Sequence, residues 1–167
     1  ATHAHFAFFP KDCSSWARAV AGLRNRGVTT SWDFGWNENL LDDRGFPALL
    51  RALDILFINE QEARLYSGKR TLTTALNTWR RFDDLVVVKL GDKGSRCVST
   101  TVDVAAPALR VKALDTTGAG DSFKGGFLAA TLRAEPLAAA LRLGNRMGAL
   151  STTKAGGLDG LPARHML

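Results

Sequence analysis

Apolar and polar positions alternate between two periods along the chain, and the alternation reads as an α/β layer structure. Residues 5–9 are aromatic enough to begin a strand. From Ser14 onward Trp16, Val20 and Leu23 recur at helical spacing until Gly27 stops the run. The β-branched and aromatic stretch 28–34 predicts the next strand, 46–53 a short helix, 54–58 a compact apolar strand and 59–66 a helical turn or two. Leu72, Ala75, Leu76 and Trp79 mark one face of an amphipathic helix. Residues 85–90, Leu-Val-Val-Val-Lys-Leu, have the continuous apolar character of a strand covered on both faces, as in the middle of a parallel sheet. The predicted order is βαβαβαβ.

The texture then changes. Gly91, Asp92, Lys93 and Gly94 form a turn signal, and the short runs 96–100 and 102–105 predict strands that pair antiparallel at a sheet edge. Residues 109–114 predict one more short strand. Two helices finish the pattern, over 121–132 and 137–150, with Pro136 where a missing N–H costs nothing. No internal repeat or linker interrupts the chain, so one α/β unit is the economical organisation.

Composition narrows the function. The 167 residues are 46% hydrophobic and 23% charged, with 16 Gly and 5 Pro, which excludes disordered and fibrous classes. No apolar run approaches the ~20 residues of a membrane helix, and residues 1–10 lack the basic start and apolar centre of a secretion signal. Cys13 and Cys97 stand far apart, so two structural thiols in a reducing, cytoplasmic setting are expected. His3, His5 and His165 lie at the chain ends without a zinc motif. Net charge is +6, and after Asp121 six basic residues stand against two acidic ones. Those cations (Lys124, Arg133, Arg142, Arg146, Lys154, Arg164) are scattered and have few aromatics among them. A pocket for an anionic small molecule, or plain solvation, fits them better than nucleic acid.

Chemistry concentrates in Asp115-Thr-Thr-Gly-Ala-Gly-Asp-Ser-Phe-Lys-Gly-Gly126. Gly118 and Gly120 bracket Ala119 just before a helix, so the backbone can turn tightly and present successive N–H groups. The helix adds the equivalent of about half a positive charge at its first turn, which makes an anion site. Asp121 stands at the mouth of that site. It reads either as the helix N-cap or as a general base that accepts a hydroxyl proton while the glycine N–H groups hold a phosphoryl group. The pattern is neither a P-loop nor a dinucleotide fingerprint, and Lys124 occupies the last glycine position of an esterase elbow.

This segment resembles the C-terminal signature of the ribokinase, or PfkB-type, carbohydrate kinases. The resemblance implies a three-layer αβα sheet, mostly parallel with an antiparallel edge, of which this chain is the C-terminal, nucleotide-binding and catalytic part. The opening strands, a Gly-Gly substrate motif and a small β lid would then lie outside it. It implies Asp121 as catalytic base, Gly118, Ala119 and Gly120 as anion hole, and Thr117 near the nucleotide phosphates. Asn59-Glu-Gln-Glu62 resembles the family's NxxE motif, which helps hold magnesium and phosphates, although Asn59 before an acid is also a normal helix start. Lys89-Leu-Gly91-Asp-Lys-Gly94 resembles the nucleotide-contacting strand and turn. Asn145 falls where the family places a residue near the adenine, and Lys154-Ala-Gly156-Gly157 resembles the turn that closes the nucleotide pocket, with Gly157 where Ala is usual. Asp115 and residues 148–157 resemble the segments that bind a monovalent cation, with potassium as the candidate. Asp33 and Asn37 resemble residues near the substrate cleft.

The expected activity is transfer of the γ-phosphoryl group of ATP to a sugar hydroxyl, with magnesium as cofactor, a sugar and ATP as partners and a homodimer as a candidate assembly. A nucleoside or sugar-phosphate kinase of the same family and a non-catalytic nucleotide-binding module stand as alternatives, with a basic nucleic-acid binder a distant third.

Overall fold

A computed structural model describes residues 1–162, so Arg164 and His165, named above, lie outside the described residues. Six strands and six helices follow in the order β1 (His3–Phe6), α1 (Cys13–Arg24), β2 (Thr29–Asp33), α2 (Phe46–Ala52), β3 (Ile55–Asn59), α3 (Glu60–Ser67), α4 (Leu72–Trp79), β4 (Leu85–Lys89), β5 (Ser95–Val98), β6 (Asp103–Ala106), α5 (Ala119–Leu132) and α6 (Leu137–Ser151). One sheet carries all six strands in sequence order. The sheet is parallel at β1, β2 and β3, with His3 opposite Thr29 and Ser31 opposite Ile55, and turns antiparallel towards the β6 edge. Tight turns make that change of direction: the Leu90 N–H donates to Gly94 (2.8 Å) and the Ser99 N–H to Val102 (2.9 Å).

Local chemistry explains the helix starts. The Asp12 side chain accepts from the Ser15 N–H (3.1 Å) to open α1, Thr71 accepts from Thr74 (3.2 Å) to open α4, and α3 ends at Gly68 with φ +65°. Two compact units emerge. In the first, Ala1–Val88 with Cys97–Asp103, an aromatic cluster surrounds the fully buried Trp32. Its ring centroid lies 4.7 Å from Phe6, 5.2 Å from Trp16 and 5.1 Å from Phe34. Arg24 joins the Asp54 (3.1 Å) and Asp84 (2.5 Å) carboxylates in the same unit. The second, Lys89–Arg96 with the residues from Val104 onward, contains α5 and α6 and is described with the site.

The stretch 109–114 is not a strand. Its apolar residues Leu109, Val111 and Leu114 are exposed, and the Leu114 and Asp115 N–H groups both donate to the Thr152 carbonyl (2.7 and 3.1 Å) at the end of α6. Backbone donors used there are lost to any sheet. Cys13 and Cys97 are buried free thiols. Burial pushes each thiol up to about 12, aided at Cys13 by Asp43. No helix of the described residues is long and apolar enough to cross a membrane.

Candidate active site

The site is built from the loop that enters α5. Gly118 is the N-cap residue, at φ +74° and with no side chain to bond the first-turn N–H groups. Asp121 is therefore not the cap; it is the third helical residue, where a carboxylate is favoured by the helix dipole. The structural reason is the left-handed turn at Gly118, which starts the helix two residues before the 121–132 that the pattern predicts.

Asp115 clasps the loop. Its Oδ1 accepts from the Thr117 N–H (2.9 Å) and its Oδ2 from the Gly156 N–H (3.1 Å), so both oxygens serve backbone donors. The Thr117 backbone bond, then the Thr117 side chain and the Gly156 N–H, hold the Asp115 carboxyl below the usual range. Gly157 closes the same junction: at φ +72°, a β-carbon on it would stand 2.7 Å from the Thr117 carbonyl oxygen. Alanine, usual in the family resemblance, does not fit here without movement.

Beside α5 opens a cavity of about 770 Å³, entirely within the second unit and large enough for a nucleotide-sized ligand. Lys89, Gly91, Gly94, Ala119, Gly120 and Asn145 line it, which brings six of the sequence-predicted residues together. Lys89 Nζ lies 3.6 Å from where a β-carbon on Gly120 would be, so an ammonium stands over the first turn of α5. Gly94 has φ +97°, and a β-carbon there would overlap the Ala106 carbonyl. Thr117, Gly118, Asp121, Asp115 and Gly156 belong to the same junction but not to the cavity lining. The Asp121 side chain is 80% exposed and its Oδ1 meets the buried Lys124 Nζ at 2.8 Å.

Asn145 is buried, and its Nδ2 donates to the Ala106 and Pro107 carbonyls, 3.0 Å each. It thereby fixes α6 to the chain leaving β6. Helices α5 and α6 approach through glycines. A β-carbon on Gly126 would stand 2.7 Å from Met147 Cγ, one on Gly144 2.9 Å from the Phe123 ring, and one on Gly148 3.0 Å from the Ala119 carbonyl. Sequence reasoning missed Leu109, Arg110, Val111 and Phe123 as cavity residues. Apolar side chains in a stretch without turn residues were the available signal, and a strand absorbs the same signal.

The other candidates lie in the first unit. Asp33 is buried and accepts from the Gly35 N–H (3.0 Å), while Asn37 caps a 3₁₀ turn by accepting from Asn39 (3.1 Å). Tyr66 donates its hydroxyl to the Gly35 carbonyl and accepts from the Asn37 N–H (3.2 Å), which anchors that loop. Burial pushes the Tyr66 phenol up to about 12.

Asn59 and Glu62 form a reciprocal capping box. Glu62 N–H donates to Asn59 Oδ1 (2.9 Å), Asn59 N–H to Glu62 Oε2 (2.8 Å) and Asn59 Nδ2 to Glu62 Oε1 (2.7 Å). Glu62 is 4% exposed and has an N–H donor on each carboxylate oxygen. The pair closes the start of α3 on itself, and no group of three or more metal-ligating side chains occurs among the described residues.

A family model described as pfkB family carbohydrate kinase matches residues 5–164. The ATP-dependent ribose-1-phosphate kinase of Halopiger xanaduensis is 35% identical over 159 residues, which cover 93% of this chain and 50% of that protein. Among solved structures, the fructokinase of Vibrio cholerae with fructose, ADP and calcium ion superposes with TM-score 0.77 at 25% identity, covering 98% of this chain and 58% of that one. A candidate ribokinase II from E. coli in complex with ATP and magnesium gives 0.76 at 26% identity, over 96% and 55%. The chain thus spans about half the length of the relatives it matches. With the glycine-started α5, the adjoining cavity and this match over nearly all its residues, the chain belongs to the pfkB family of carbohydrate kinases.

Proposed function

We propose that this chain is the nucleotide-binding and general-base part of an ATP-dependent kinase that phosphorylates a sugar or sugar-phosphate hydroxyl. The observation that carries the reading is the start of α5: first-turn N–H groups without a side-chain cap, Asp121 on the same turn, and the Lys89 ammonium above Gly120 in the adjoining cavity. Bound nucleotide and divalent ions in the Vibrio cholerae and E. coli structures agree with it.

In this reading the nucleotide occupies the cavity, with its base side against Leu109, Val111 and the α6 residues around Asn145 and its phosphates towards Ala119, Gly120 and Lys89. Phosphoryl transfer asks the protein mainly for positioning and charge neutralisation. Donors at the α5 terminus hold the transferring group, each worth on the order of 10² to 10³ in rate. Asp121 accepts the proton of the attacking hydroxyl. Thr117 and Gly156 act through the loop that Asp115 clasps. Asp33 and Asn37 are assigned to the acceptor side, where their bonds to Gly35 and Asn39 keep the loop ordered.

Magnesium, when bound, supplies charge neutralisation on the phosphates and keeps most of its water. Asn59 and Glu62 are closed on each other, and the pair's part in this reading is to fix the start of α3. A monovalent ion near Asp115 is tested separately, since turnover indifferent to replacing potassium by a large inert cation would remove it. The central test is phosphate transfer from ATP to a panel of sugars and sugar phosphates, with Asp121→Ala as control. Turnover that survives in the variant overturns the assignment.

A further inference from the structure

Lys124 is the one fully buried cationic side chain among the described residues, only 6% exposed. Lysine is among the residues least often buried, because desolvating its ammonium costs several kcal/mol unless partners replace the water. A lysine needed only for solubility would extend its stem and leave its head in solvent. Here the head is inside and its Nζ meets Asp121 Oδ1 at 2.8 Å, across the three-residue spacing that puts two side chains on one side of a helix. The partner is the reverse case, a short side chain 80% exposed. Left to itself, an exposed aspartate samples several rotamers, and few of them would place an oxygen within the 2.6–3.2 Å that proton abstraction needs.

We propose that Lys124 is a positioning residue for Asp121: it grips Oδ1 from the buried side of α5 and so presents Oδ2 to the acceptor hydroxyl. The inference rests on the proposed kinase reading, in which Asp121 is the base. With its side chain 80% exposed, the Asp121 carboxylate gripped through Oδ1 stays open to a substrate. Because Lys124 is inside the helix packing and does not line the nucleotide cavity, it acts on the base and not on the phosphates. The sequence hides this role, since a charged residue on a helix reads as solvated surface.

The test compares Lys124→Met, Lys124→Arg, Asp121→Asn and the double variant Asp121→Asn/Lys124→Met in the full polypeptide, each checked by thermal melting for a folded state. Displacing a base by about 1 Å costs on the order of 10²-fold in rate. Lys124→Met is expected to lower kcat by that amount with KM for ATP within about twofold of wild type, and Lys124→Arg to recover most of the loss. The double variant should be no slower than Asp121→Asn alone, because the grip has nothing left to hold. Unchanged kcat in Lys124→Met, a loss carried by KM for ATP, or a folded arginine variant as slow as the methionine one overturns the proposal. If the wild-type polypeptide transfers no phosphate to any acceptor, the kinase reading falls on its own. The grip is then read from the ¹⁵N resonance of the Lys124 ammonium, where displacement in Asp121→Asn upholds it and an unmoved signal overturns it.

Discussion

Helices α3 and α5 solve the same problem in opposite ways. Each must deal with N–H groups that have no partner inside the helix. At α3 the Asn59 and Glu62 side chains bond each other's backbone, so the terminus is saturated. At α5 the cap residue is Gly118 in a left-handed turn, which contributes no side chain at all. Asp12, Asn59 and Thr71 cap α1, α3 and α4, whereas α2 and α6 start without a side-chain cap as α5 does; what sets α5 apart is the left-handed Gly118, Asp121 on the first turn and the cavity beside it. The two helix starts thus differ in which donors their own side chains already answer.

The sharpest way to break this contrast is Asp121→Ala. General bases contribute about 10² to 10⁴ in rate, so transfer should fall by that range while ATP affinity, measured by calorimetry, stays within a few-fold. Comparable transfer in the variant would make α5 as structural as α3. Gly118→Ala comes next. A β-carbon at φ +74° costs about 1 to 2 kcal/mol and shifts the first-turn donors, so thermal stability drops and ATP affinity falls with it. An affinity equal to wild type would show that the exposed donors do not meet the phosphates.

Asn59→Ala tests the other side. Loss of the cap should cost about 1 kcal/mol, or roughly 2 to 4 °C in melting temperature, with ATP affinity of the folded protein retained. A large fall in affinity would give the α3 start a chemical part. The smallest effect concerns Asp115. Its carboxyl is held below the ordinary value near 3.9, so the clasp contributes fully above that pH and is lost only as pH falls through the lower folded value. Asp115→Asn should flatten that acid limb of an unfolding titration. An unchanged limb would assign it to other carboxylates.

Much of the fold was legible because its elements follow a single local rule. Residues 72–79 and 85–89 are helix and strand by period alone, and the Gly91–Gly94 turn announces the reversal. What failed was whatever depends on distant partners. Residues 109–114 look like a strand, yet the carbonyl of Thr152 takes the N–H groups of both Leu114 and Asp115, a link across the sequence that no local pattern contains. Asn145 lines the cavity as its position suggested, but the bonds of its amide to the carbonyls of 106 and 107 are not written in any local pattern. At the site itself, the glycine-flanked turn was readable and the helix boundary was not, because aspartate caps helices so well that Asp121 drew the cap past Gly118. Lys124 was invisible as a buried group for the same reason that most lysines are exposed.

The glycine seam between α5 and α6 has a mechanical consequence. Where Gly126, Gly144 and Gly148 meet the facing helix, an added β-carbon would press on Met147 Cγ and the Leu143 carbonyl, on the Phe123 ring, and on the Ala119 carbonyl. An extra methyl at Gly144 or Gly148 would act as a wedge against Phe123 and Ala119, two walls of the cavity. The seam therefore fixes how closely α5 and α6 approach beside the cavity, and in the proposed kinase reading alanine at Gly144 or Gly148 should weaken ATP binding before it unfolds the protein.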